Sequence, residues 1–72
     1  MDRQEKLKLM EEVMDLADGT LSEGDELASY DEWDSLSALA FMSVMTSRFH
    51  KNIMPSDIKK LITVADAIDL ME

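Results

Sequence analysis

The sequence predicts an all-α domain of four helices, with a long loop between the first and second helices and a short third helix. Three observations lead there. Only two Gly and one Pro occur in 72 residues, so few positions resist a helix. Three stretches repeat apolar residues at three- and four-residue spacing, the period of one helix face, and a fourth, short stretch follows Pro55. Each stretch also opens on a residue suited to a helix start: Asp2, Asp34-Ser35, Pro55 and Thr63.

The first helix is expected over residues 2–17. Asp2 and Glu5 have the spacing of a capping box, with Asp in place of Ser or Thr. Leu7, Met10, Val13, Met14 and Ala17 share one face, with Leu9 and Leu16 at its edge. Gly19 is the expected stop, because Gly enters the left-handed conformation that ends helices. Residues 18–33 then read as an acidic loop in which Leu21, Leu27, Ala28 and Tyr30 are available to pin it down. A connection this long in a small domain is functional or wrapped on the core.

The second helix is expected from about Ser35 to Phe49. Ala38, Phe41, Met42, Met45 and Phe49 form its core side, and Leu36, Leu39, Ser43 and Ser47 its other side. Arg48, His50 and Lys51 suit the negative end of its dipole. Pro55, well placed at a first helical position, opens a short third helix over about Ser56 to Lys60. Thr63, with Asp66 three residues on, caps a fourth helix whose apolar face is Val64, Ala67, Ile68 and Met71.

Seventy-two residues make one domain with a small core, residues 1–72. With no Cys there is no disulfide and no thiolate ligand. The net charge is −9, and residues 1–34 hold all of it, with 12 acids against 3 bases; the rest of the chain balances 4 acids with 4 bases. Such a chain does not suit nucleic acid, whose binding rests on cations that neutralise phosphates. Basic patches on other proteins are the expected partners. The longest apolar run, Ala38 to Met42, is too short for a membrane span or a signal peptide. The expectation is a cytoplasmic monomer.

Asp34 and Ser35 are both good N-cap residues. Ser35 is placed at the positive end of a helix dipole, outside the apolar stripe, where a phosphate is well held. A nucleophilic Ser needs a base within hydrogen-bond reach. The one His, His50, is 15 residues away, about 22 Å along the same helix at about 1.5 Å per residue. No catalytic residue is therefore assigned. No metal site is assigned either. A calcium loop needs Asp five residues before its Gly, and the positions before Gly19 and Gly24 are Met14 and Gly19.

At Asp34-Ser35-Leu36 the chain resembles the acyl carrier protein family. Phe49, Ile53, the Pro55-Ser56-Asp57 turn and Thr63-Val64-x-x-Ala67-Ile68 match the family at the same distances from the Ser. The resemblance covers almost the whole chain and implies a four-helix bundle of the acyl carrier type. It implies that Ser35 holds a 4′-phosphopantetheine arm, attached from coenzyme A by a phosphopantetheinyl transferase. The arm carries acyl groups as thioesters to acyl-transferring or ketosynthase-type enzymes with basic docking patches. It also implies that Asp34, Leu36, Leu39, Asp31 and Glu32 face partners, and that Leu27, Ala28, Ala38, Met45, Ile53, Ile58, Leu61 and Ala67 line or flank an acyl pocket.

The second helix departs from the family pattern. Fatty acid carriers have acids after the Asp-Ser-Leu and along this helix. Here Ser37, Ala40, Thr46, Ser47 and Arg48 occur, and no acid lies between Asp34 and Asp57. Together with Trp33, this looks more like freestanding carriers of polyketide, nonribosomal peptide or modified-lipid assembly. Two other readings stay open: an aminoacyl or peptidyl carrier, and an acidic helical interaction module with no prosthetic group.

Overall fold

A computed structural model describes all 72 residues, Met1 to Glu72. Four helices follow one another: α1 (Arg3–Val13), α2 (Ser35–Phe49), α3 (Pro55–Lys59) and α4 (Val64–Leu70), with a short 3-10 turn at Leu27–Ser29. The chain is all-helical apart from one isolated antiparallel bridge, Glu26 to Thr63. No helix is long and apolar enough to cross a membrane.

α1 starts as its capping box predicts: the Asp2 carboxylate accepts the Glu5 N–H at 2.8 Å. It stops four residues earlier than the apolar spacing implies. Asp15 takes the left-handed conformation at φ 57°, the Leu16 N–H donates to the Glu11 carbonyl at 2.8 Å, and the Asp15 N–H to that of Glu12 at 3.1 Å. These two bonds make a Schellman closure, which satisfies carbonyls that the helix end leaves free. Gly19, at φ 86°, serves a turn inside the loop instead. Ala17, expected on the apolar face, is exposed, while Leu9, expected at the edge, is buried.

The loop from Asp15 to Asp34 is sewn onto the start of α4. The four N–H groups that a helix start leaves free all find partners here. Those of Val64 and Ala65 donate to the carbonyls of Asp25 and Glu23, both at 2.9 Å. That of Asp66 goes to Thr63 Oγ1 at 3.2 Å, and that of Thr63 to the Asp66 carboxylate at 3.0 Å. Leu21 and Leu27 fill the core beneath the loop. Ala28 does not pin it. Leu27 takes the inward position of the 3-10 turn, and Ala28 is exposed.

Leu9, Met10 and Met14 of the α1 region meet Leu21, Leu27, Phe41, Met45, Ile53, Val64, Ala67, Ile68 and Met71 in one core. α1 packs on both α4 and α2. Burial of this apolar area is the main force holding the helices together. α3 buries no residue fully and stays at the edge, with Ile58 half-buried. Polar ties close the outside. Arg3 reaches Glu23 at 2.5 Å, Glu72 at 2.6 Å and Asp69 at 3.0 Å, joining α1, the loop and the end of α4. Its hydrogen bonds to Glu23 and Asp69 push the guanidinium pKa up further. Lys51 Nζ caps the Leu70 carbonyl at 2.7 Å.

Candidate functional site

The start of α2 is built from the loop inward. Trp33 is half-buried, with its ring edge-on to Phe41 at a centroid distance of 6.1 Å and an interplanar angle of 76°. This aromatic contact fixes where the chain enters the helix. Asp34 is extended (φ −128°) and caps α2. Its Oδ1 accepts the Ser37 N–H at 3.0 Å, and Ser37 Oγ accepts the Asp34 N–H at 2.8 Å. The Ser37 N–H is the main cause holding the Asp34 carboxyl below the usual carboxylate range.

Ser35 is thus the first residue of α2 rather than its cap. Its side chain is exposed and its hydroxyl makes no hydrogen bond within the protein. The capping work is done by Asp34 and Ser37, which leaves that hydroxyl free. Leu36 and Leu39 follow on the outer face, 77% and 62% exposed. Asp31 and Glu32 are exposed just upstream. The five residues that the resemblance implies face partners, Asp31, Glu32, Asp34, Leu36 and Leu39, are all exposed.

Two clefts flank this helix start. One, about 430 Å³, lies between α1 and α2 and is lined by Val13, Met14, Asp15, Glu32, Asp34, Leu36, Ser37 and Ala40. The other, about 390 Å³, lies between α2 and α3, with Ser35, Ala38, Leu39, Met42, Pro55, Ile58 and Lys59. A third, about 220 Å³, is at the opposite end of α2 beside Arg48.

The residues expected around an acyl pocket separate. Ala38 and Ile58 line the cleft beside Ser35. Leu27, Met45, Ile53 and Ala67 are in the closed core, Leu61 packs half-buried against it, and Ala28 is exposed. None of the three clefts reaches Leu27, Met45, Ile53 or Ala67. His50 sits in a left-handed conformation at the far end of α2, where its N–H and that of Lys51 both donate to the Met45 carbonyl.

Sequence reasoning missed three residues. Ser37 is 5% exposed and closes the cap; an Asp followed by Ser three residues on is a variant of the capping box and could have signalled it. Glu11 is 1% exposed, and its Oε2 accepts the Leu21 N–H at 2.8 Å, which fastens the loop to α1. Lys59 joins Ser35 in one cleft although 24 positions separate them, a proximity that no local pattern carries. Comparison with known proteins gives no family-model match and no significant match among curated proteins or solved structures.

Proposed function

We propose that the chain is an acyl carrier protein of the four-helix type, modified on Ser35 with 4′-phosphopantetheine. One observation carries the reading. The Ser of the Asp-Ser-Leu motif presents a free, exposed hydroxyl as the first residue of a 15-residue helix, beside an open cleft. The helix order, with its long loop and short third helix, supports the same reading.

Ser35 Oγ bonds to the phosphorus on the pantetheine side of coenzyme A's pyrophosphate. The bond from that phosphorus to the bridging oxygen breaks, adenosine 3′,5′-bisphosphate leaves, and the hydroxyl proton passes to a base. That base belongs to the transferase: Asp34 is engaged with Ser37, and His50 lies at the other end of α2. The chain acts as acceptor and carrier, not as catalyst. The N–H groups at the start of α2 favour the negative charge that the phosphodiester keeps. When bound, the arm supplies a thiol that holds acyl groups as thioesters.

Partners are then a phosphopantetheinyl transferase and acyl-transferring or ketosynthase-type enzymes of fatty acid, polyketide or specialised lipid assembly. Their basic patches meet Asp31, Glu32 and Asp34, and their apolar contacts meet Leu36 and Leu39. The exposure of Leu36 and Leu39 also favours a second reading, a docking module with no arm. Incubation with coenzyme A and a broad-specificity transferase, followed by intact mass, separates the two. The carrier reading expects one arm's gain in mass, abolished by Ser35→Ala; no gain leaves the docking module.

A further inference from the structure

The two clefts beside the start of α2 carry opposite charge. The α1 side is rimmed by Asp15, Glu32 and Asp34 and holds no base. The α3 side has apolar walls from Ala38, Leu39, Met42, Pro55 and Ile58, and its one charged residue is Lys59. Lys59 is exposed and takes no part in the protein's ion pairs or side-chain hydrogen bonds, all of whose basic members are Arg3, Lys6 and Lys51. A chain of net charge −9 thus keeps an unpaired cation at the rim of the apolar cleft into which Ser35 opens.

We infer that the cleft between α2 and α3 takes an acyl chain ending in its own anion, such as a carboxylate, with Lys59 as the counter-ion. The inference rests on the carrier reading of Ser35. The walls accept methylene groups whatever the chain ends in, because apolar burial is not directional. Selection comes from the end group. A terminal carboxylate at the rim stays in water and pairs with Lys59. An anion turned to the other side of α2 meets three carboxylates instead. The volume of about 390 Å³ is within the range of small-molecule sites. Because the rim is open to solvent, selectivity is modest: about threefold to fivefold, the scale of an exposed charge pair.

The test begins on the unmodified protein. Octanoate, octylammonium and octanol are titrated while the backbone amide signals of Ala38, Met42 and Ile58 are followed by NMR. Octanoate is expected to bind about threefold to fivefold tighter than the other two. Lys59→Gln should bring octanoate down to the level of octanol, and Lys59→Glu should turn the preference to octylammonium. Ser35 is then loaded with octanoyl- or octanedioyl-phosphopantetheine from the corresponding coenzyme A thioester. The octanedioyl form should protect the same amides from exchange more than the octanoyl form, and Lys59→Gln should erase the difference. Equal binding of the three ligands, or a preference that survives Lys59→Gln, overturns the inference alone. Absence of a mass gain overturns it together with the carrier reading.

Discussion

Asp34 and Ser37 close the start of α2 on each other, the carboxylate taking the Ser37 N–H at 3.0 Å and the Ser37 hydroxyl taking the Asp34 N–H at 2.8 Å. Ser35, between them, is spared this role. Ser37→Ala is therefore expected to lower stability by roughly 1 kcal/mol, the net worth of a hydrogen bond. Ser35→Ala, which removes no bond, should stay within about 0.5 kcal/mol of the parent. Thermal melts of both variants check the contrast, and equal losses would contradict it.

Glu11 fastens the loop from inside the protein. Glu11→Ala leaves the Leu21 N–H without its partner, at a cost of roughly 1–3 kcal/mol. Amide exchange should show where the loss falls. Leu21 should lose protection strongly, while Ile68 in α4 should follow only the global change in stability. Protection at Leu21 that falls no further than at Ile68 would remove the latch role.

Charge and salt give a third expectation. All of the net −9 lies in residues 1–34, and the Arg3 contacts offset only part of it. Raising salt from about 10 mM to about 150 mM shortens the Debye length from about 30 Å to about 8 Å, which screens the repulsion among these acids. Tm should rise across that range. A fall would mean that the screened attractions around Arg3 outweigh the repulsion.

The pH profile follows from three acids. The hydrogen bond from Tyr30 to Asp25, the Ser37 N–H on Asp34 and the Thr63 and Ile62 N–H groups on Asp66 all hold carboxyls below their usual range. Such a group binds fewer protons folded than unfolded. Its contribution is fully present above the ordinary value of about 3.9 and is lost as pH falls through the lower folded value. The relief of net repulsion acts in the other direction at milder acidity. Tm should hold or rise from pH 7 to about 5 and fall below about 4. A Tm that keeps rising to pH 2 would contradict these three bonds.

Leu36 tests the outer face. It is 77% exposed, so Leu36→Ala should leave Tm nearly unchanged. Under the carrier reading it should slow modification of Ser35 by the transferase about fivefold, the scale of an interface residue worth about 1 kcal/mol. An unchanged kcat/KM would exclude Leu36 from the transferase contact.

Much of the fold was legible because its signals are local. The boundaries of α2, the Pro55 start of α3 and the Thr63–Asp66 cap of α4 depend on residues within one turn of each other, where backbone N–H groups and side chains can meet whatever the rest of the chain does. The face of α4 was legible for the same reason: Val64, Ala67, Ile68 and Met71 all lie at helical spacing and are all buried. The exposure of Ser35 belongs to this class too, because it lies outside the apolar stripe; that Asp34 and not Ser35 is the cap came only with the structure.

The end of α1 was decided elsewhere. Apolar spacing carries on to Ala17, but a left-handed Asp15 turns the chain so that Leu21 and Leu27 reach the core and Glu11 holds the loop. The burial of Glu11 and the meeting of Ser35 with Lys59 are likewise tertiary facts. The sequence by itself determined where helices start, the apolar faces of α2 and α4 and the place of Ser35 outside the apolar stripe, since these follow from short-range hydrogen bonding and periodicity. Only the tertiary structure decided how the loop crosses α1 and which charge stands beside each cleft. Those depend on packing between segments that share no local pattern and meet only when the core closes.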